Sequence, residues 1–277
     1  MRLGGPVFLN DSDPERWVAA HKQRGYRAAY CPVRADAGAE VMAAYKTAAA
    51  KADLVIAEVG VWNNPLHPDE AERKKALEFC KTQLALAEEI GALCCVNISG
   101  SRGTRWDGPH PLNLMRETFD MIVEVVREII DAVKPARTFY TLEPMPWMYP
   151  DSPDSNLELM RAVDRAQFAV HLDPVNMICS PQRYFANGDF LRECFEKLGP
   201  YIKSVHAKDI TLAETLTTHL DEVRPGLGSL DYRIFLREMD KLPADTPLML
   251  EHLKLEEEYT ASAEYVRKVA DEVGVNL

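Results

Sequence analysis

Glu143, Asp173, His206 and Glu251 each stand at or near the C-terminal end of a short apolar run: Phe139–Glu143, Phe168–Asp173, Ile202–His206 and Leu248–Glu251. Apolar strands that end in charge need a reason for those ends to meet. Three carboxylates and one imidazole form a donor set for a single divalent cation such as Mn, Mg, Co or Zn. Such a cation, as a Lewis acid, would make the C–H of an α-hydroxy ketone acidic and stabilise a cis-enediolate. Two carboxylates on opposite sides of such a substrate could then take a proton from one face and return one to another. Return to the opposite face is epimerisation, transfer to the adjacent carbon is isomerisation, and loss of a β leaving group is elimination.

The spacing implies the scaffold. Glu143 to Asp173 is 30 residues and Asp173 to His206 is 33, each close to one strand–helix unit; His206 to Glu251 is 45, one unit plus a long loop over 209–229. Short apolar runs alternate with amphipathic stretches along the whole chain, which predicts a parallel α/β fold. Eight such units predict a closed (β/α)8 TIM barrel as one domain over 1–277, with its chemistry at the C-terminal mouth. The strands are expected at Pro6–Leu9, Tyr26–Val33, Leu54–Val61 and Leu93–Ile98, and at the four runs above. The first helix is expected to start at an Asp11 or Asp13 cap and run through His21. Others are expected from about Ala37 to Lys51, after Glu70 to Glu89, Leu112 to Val133, Pro153 to Ala166, Pro181 to Leu198, Leu230 to Lys241 and Glu256 to Glu272.

Neighbouring strands lie about 4.8 Å apart, so side chains at one level can share a cation. Alternation along a strand turns His171 inward one layer below Asp173, as a core or supporting group, and sets Lys208 at the mouth above His206. Lys208 can there meet substrate, or pair with Asp209 or a ligand carboxylate. His252 has the wrong parity to share a cation with Glu251 and is expected to pack outward.

These residues carry a resemblance. The runs Phe139–Glu143-Pro144, His171-Leu172-Asp173-Pro174-Val175-Asn176, Val205-His206-Ala207-Lys208-Asp209 and Leu250-Glu251-His252 resemble the xylose isomerase-like TIM barrels. They are most similar to the sugar phosphate isomerase/epimerase group, with its ketose 3-epimerases and inosose dehydratases. The segment Arg224–Tyr232 resembles that group's Gly-x-Gly loop. The resemblance implies that Glu143, Asp173, His206 and Glu251 bind one metal, with Glu143 and Glu251 as the acid/base pair. Where ketose 3-epimerases carry a histidine, a glutamate and an arginine for the sugar hydroxyls, this chain has Asn176, Tyr149 and Leu212. The substrate expected is therefore a ketose, keto-sugar or inosose other than a simple free ketohexose, and lyase chemistry (inosose dehydration, or β-elimination from a 3-keto-glycoside) is the alternative.

The loops over the expected mouth carry Trp62, Asn63 and His67, then Arg102, Arg105 and Trp106, then Trp147 and Tyr149. Asn176, Lys208, His171, Trp62, Trp106, Trp147 and Arg102 are the candidate substrate-binding residues: rings stack on the indoles and cations hold anionic groups. Each tryptophan could equally be loop packing. With 277 residues and a net charge of −11, the chain lacks the basic face of a nucleic-acid groove, and no apolar stretch is long enough to span a bilayer. Six cysteines without a CxxC pair read as reduced core thiols of a cytoplasmic protein. A homo-oligomer is left open. Three further functions fit poorly: a repair endonuclease wants more histidine, a Schiff-base aldolase has only Lys208 to use, and a non-catalytic barrel subunit would not need all four ligands.

Overall fold

In the computed structural model, which describes residues 1–9 and 13–277, eight strands close into one parallel barrel. The strands of the first half are β1 (Arg2–Gly4), β2 (Ala28–Tyr30), β3 (Val55–Gly60), β4 (Cys94–Asn97) and β5 (Phe139–Leu142). Those of the second half are β6 (Phe168–Leu172), β7 (Ile202–Ala207), β8 (Asp209–Leu212), β9 (Leu220–Val223) and β10 (Pro247–Leu250). Around the barrel the order is β1-β10-β7-β6-β5-β4-β3-β2, while β8 and β9 form a separate two-stranded hairpin. The helices are α1 (Pro14–Gln23), α2 (Ala39–Lys51), α3 (Glu70–Ile90), α4 (Arg116–Val133) and α5 (Pro153–Val163). They continue with α6 (Pro181–Phe185), α7 (Asn187–Leu198), α8 (Tyr232–Met239) and α9 (Glu256–Val273).

Local chemistry explains most boundaries. Asp13, with Pro14 in the first turn, caps α1 by accepting from the Arg16 amide; the other expected cap, Asp11, lies outside the described residues. Asp69 caps α3, which ends at Gly91 in the left-handed conformation at φ 80°. Ser152 and Ser155 form a reciprocal capping box on α5.

Three expectations need correction. The first strand is Arg2–Gly4, not Pro6–Leu9: proline cannot donate to a ladder, and Arg2 is the residue that anchors this end. Its guanidinium is buried at the foot of the barrel and pairs with Asp53 at 2.8 Å and Asp245 at 2.7 Å. The segment 209–229 is not a plain loop but contains the β8–β9 hairpin. The expected helix Pro181–Leu198 is two helices, broken at Ala186.

Side chains of one parity face out and pack against the helices, among them Leu142, Leu172, Val205, Ala207 and Leu250. The other parity faces the barrel axis, where Ala28, Ala57 and Met249 pack together. Two register shifts disturb this alternation. On β3, Ala29 pairs with Ile56 but Tyr30 pairs with Glu58, so Ala57 is an extra residue; such a bulge re-aims the next side chain. The second shift lies at Val170/His171 between β6 and β7.

Candidate metal centre

Glu143, Asp173, His206 and Glu251 come from β5, β6, β7 and β10 or the residue that follows, four adjacent staves of the barrel. Each lies on the inward parity, because Leu142, Leu172, Val205 and Leu250 beside them face the helices. All four are buried, and one donor atom from each lies within 4.8 Å of the others. His206 Nδ1 stands 2.8 Å from Glu251 Oε1, 3.5 Å from Glu143 Oε1 and 3.8 Å from Asp173 Oδ2. Asp173 Oδ2, Glu251 Oε1 and His206 Nδ1 are buried without a hydrogen bond of acceptable geometry. Orphaned, convergent donors of this kind suit a cation. The residues therefore fit the group that the sequence implies.

Lys208 is part of this cluster. Its ammonium lies 2.7 Å from Glu251 Oε1, 2.8 Å from Asp173 Oδ2 and 3.4 Å from Glu143 Oε1. These are ion pairs at contact distance; with Asp173 and Glu251 the alignment for a hydrogen bond is missing. Asp209 is otherwise engaged: its carboxylate accepts from the amides of Ile210, Gly226, Gly228 and Leu230 at 2.9–3.0 Å. Glu143, Asp173 and Glu251, with Glu222 behind them at 3.5 Å from the same ammonium, outnumber the single lysine charge, and a dication would offset part of that excess.

Burial and neighbours set the acids apart. Burial pushes Glu143 up, but the Lys208 ammonium and His206 outweigh it and hold the carboxyl well below its usual range. Glu251 feels the same burial, and His206 and Lys208 bring it down to about 2. Asp173 goes the other way: burial, with Glu143 and Glu251 alongside and against the pull of Lys208, raises it to about 7.

Asn176 follows Asp173 in a 3-10 turn (Val175–Met177) and donates from Nδ2 to Glu143 Oε1 at 2.9 Å. Trp62, at φ 49°, turns its indole back over the end of β3, 6.5 Å from the His206 ring. That fold-back requires Gly60, where a Cβ would fall 2.2 Å from the indole nitrogen. Trp62 and Trp106 line one cleft of about 400 Å³ with Asn63, His67 and Phe79. Trp147 donates from its indole to the Asp107 carbonyl. Arg102 is held by Thr118 and Glu117, and Tyr149 donates to the Leu114 carbonyl, so both are tied to the loop and helix after β4. His171 lies under the cluster, its ring 4.0 Å from that of His206.

His252 departs from expectation in where its ring points. A φ of 58° breaks the strand alternation, so the ring turns to the rim, 3.2 Å from Glu222 Oε1 and 3.6 Å from Glu251 Oε2. Sequence reading also passed over Glu222, on β9, whose Oε2 lies 3.5 Å from the Lys208 ammonium. It passed over Glu58 as well, although one carboxylate inside the apolar run Leu54–Val61 is a visible signal.

A model of the family described as "Xylose isomerase-like TIM barrel" matches residues 18–269. The chain belongs to this family. A search of curated proteins found no match. Among solved structures, the chain is similar to D-psicose 3-epimerase with D-tagatose from Clostridium cellulolyticum H10, at TM-score 0.69 and 14% identity over 100% of each chain. It is also similar to the probable 3-DHS dehydratase of Bacillus anthracis (TM-score 0.69, 16% identity, 97% of this chain and 98% of that one). A xylose isomerase-like TIM barrel protein of Mycobacterium smegmatis in complex with magnesium gives TM-score 0.65 and 17% identity, over 94% and 88%. Identities this low establish a shared fold. Among the described residues no helix is long and apolar enough to cross a membrane.

Proposed function

We propose that the chain is a divalent-cation-dependent isomerase or epimerase acting on a ketose, keto-sugar or inosose, with Glu143 and Glu251 as the proton-transferring pair. The observation that carries this reading is the convergence of Glu143, Asp173, His206 and Glu251 donors within 4.8 Å at the C-terminal ends of adjacent strands. Those four residues would hold the cation, which when bound polarises the carbonyl and hydroxyl oxygens of the substrate. Glu143 and Glu251 are carboxylates facing the same cavity, the two groups there that could take a proton from carbon and return one. Asn176 orients Glu143 through its Nδ2, while Lys208 offsets the negative charge beside both bases. The Trp62 indole, 6.5 Å from the His206 ring, gives an apolar face on which a sugar ring can stack.

The cleft that Trp62 and Trp106 line supports a second reading. It shares Trp62 with the site and encloses about 400 Å³, so a sugar stacked on that indole could lay a substituent in it, as β-elimination from a 3-keto-glycoside would require. One screen tests both: Mn-loaded protein is offered ketoses, inososes and 3-keto-glycosides in D2O, and deuterium uptake next to the carbonyl is followed. Uptake with retained carbon skeleton supports the isomerase or epimerase, and aglycone release supports the lyase. No uptake and no release across the panel would defeat the enolisation scheme.

A further inference from the structure

We propose that Glu58 is a positioning residue for the cation site: it holds the Nε2 proton of His206, so that His206 presents Nδ1 to the cation. This rests on the metal-dependent reading above and names the residue that fixes its imidazole ligand.

The two nitrogens of His206 face opposite ways. Nδ1 looks up toward Glu251, Glu143 and Asp173, whereas Nε2 looks down to Glu58 Oε1 at 3.4 Å. The other oxygen of Glu58, Oε2, lies 3.4 Å from His171 Nδ1. All three side chains are essentially inaccessible, between 0% and 1% exposed. Both Glu58 oxygens and all four ring nitrogens are buried without a hydrogen bond of acceptable geometry. A carboxylate so deep is costly unless N–H groups point at it. Among the described residues its ion-pair partners are these two imidazoles, and one carboxylate can accept from both. A metal-ligating histidine characteristically donates its other ring N–H to a carboxylate, which fixes tautomer and ring orientation.

The chain also builds in the means of delivering this carboxylate. The extra residue Ala57 on β3 allows Glu58 to turn inward beside Ala57, which itself packs against Ala28 and Met249. Without the bulge, Glu58 and Ala57 would fall on opposite faces.

Glu58, His171 and His206 also meet the distance requirement for a cation of their own. An ion there and one above would both need His206, which would have to give up its ring proton to bridge them. The carboxylate–imidazole reading keeps that proton and gives each Glu58 oxygen one ring nitrogen.

The test compares wild type with E58L, which removes the acceptor, and E58Q, which keeps one without the charge. Mn2+ binding to metal-stripped protein is measured by titration calorimetry. The expected result is one ion per wild-type chain, with the dissociation constant raised about 10–100-fold in E58L and at least half of that loss, on a logarithmic scale, recovered in E58Q. In Mg2+-loaded wild type, 15N–1H correlation should show His206 protonated at Nε2. An E58L affinity equal to wild type would overturn the inference while leaving the metal reading intact. So would a second ion lost on substitution, or a His206 protonated at Nδ1 in loaded protein. If E58L fails to fold, the wild-type tautomer decides. Wild-type protein that takes up no Mn2+ would overturn the metal reading and this inference with it.

Discussion

The Lys208 ammonium lies 2.7 Å from Glu251 Oε1, inside the same buried cluster as the candidate ligands. A side chain of the protein thus neutralises part of the charge that a dication would neutralise. Removing one member of a buried ion pair leaves its partners uncompensated, typically at about 3–5 kcal/mol. K208M is therefore expected to lower thermal stability in chelator by several kcal/mol, and Mn2+ or Co2+ to restore more stability to K208M than to wild type. Melting curves with and without each ion check this. An ion response no larger than that of wild type would show that Lys208 and the cation do not share these carboxylates.

Glu143 and Glu251 are expected to be indispensable to turnover and dispensable to the fold. General acid–base groups contribute about 10²–10⁴ in rate, so E143Q and E251Q should each lose at least that much in kcat. Gln keeps the shape and removes the base. Unequal loss of deuterium exchange would identify the face each residue serves. Chelation should abolish activity in wild type, with Mn2+ or Co2+ restoring it. Either variant retaining near-wild-type exchange would exclude the paired-base scheme.

The four candidate ligands were legible as a set because each closes an apolar run and stands next to an outward residue, Leu142, Leu172, Val205 or Leu250, at the strand end. Glu58 was hidden by the opposite circumstance: a bulge at Ala57 changes parity within β3, and no residue type announces it. His252 stays outside the candidate ligand group, as expected, but a left-handed backbone directly after β10 overrides alternation and turns its ring to the rim. The β8–β9 hairpin escaped because Asp209–Leu212 and Leu220–Val223 are four residues each and half polar, and pair with each other away from the barrel. Lys208 could be set at the mouth with substrate, Asp209 or a ligand carboxylate as its partner, but the choice among them was not legible, because side-chain reach across the barrel is not a property of spacing.

At the other end of the barrel, Asp53 offers a pH prediction independent of the active site. Hydrogen bonds from Arg2 and Arg27 hold its carboxyl down at about 2, against about 3.9 for an unperturbed aspartate. A depressed carboxylate contributes stability that is fully present above its unfolded value and is lost as pH falls through the folded one. The contribution should therefore fade between about pH 4 and pH 2. Asp53 is exposed, so solvent screens the pair. Asn tolerates the left-handed backbone at this position (φ 54°) and removes only the charge. D53N should lose less stability than wild type across that window in acid-titrated chemical denaturation. An identical acid profile would show the clasp to be electrostatically neutral.

Gly228 should be needed for the hairpin that carries Glu222. Asp209 gathers the amides of Gly226, Gly228 and Leu230 onto one carboxylate, which folds 209–230 back on itself. A Cβ at Gly228 would lie 2.2 Å from Asp209 Oδ1 and 2.5 Å from the Ile210 carbonyl oxygen. Asp209 Oδ1 is held by the Leu230 amide and the Ile210 carbonyl accepts from the Ser229 amide, so the loop must open rather than adjust. G228A is expected to destabilise the protein by about 1–3 kcal/mol, and to speed amide exchange at residues 226, 228 and 230 more than in the barrel strands. Because Glu222 reaches Lys208 from this hairpin at 3.5 Å, G228A should also change the affinity for Mn2+ without altering its stoichiometry. Exchange rates at those three amides unchanged from wild type would show that Asp209 does not hold the hairpin.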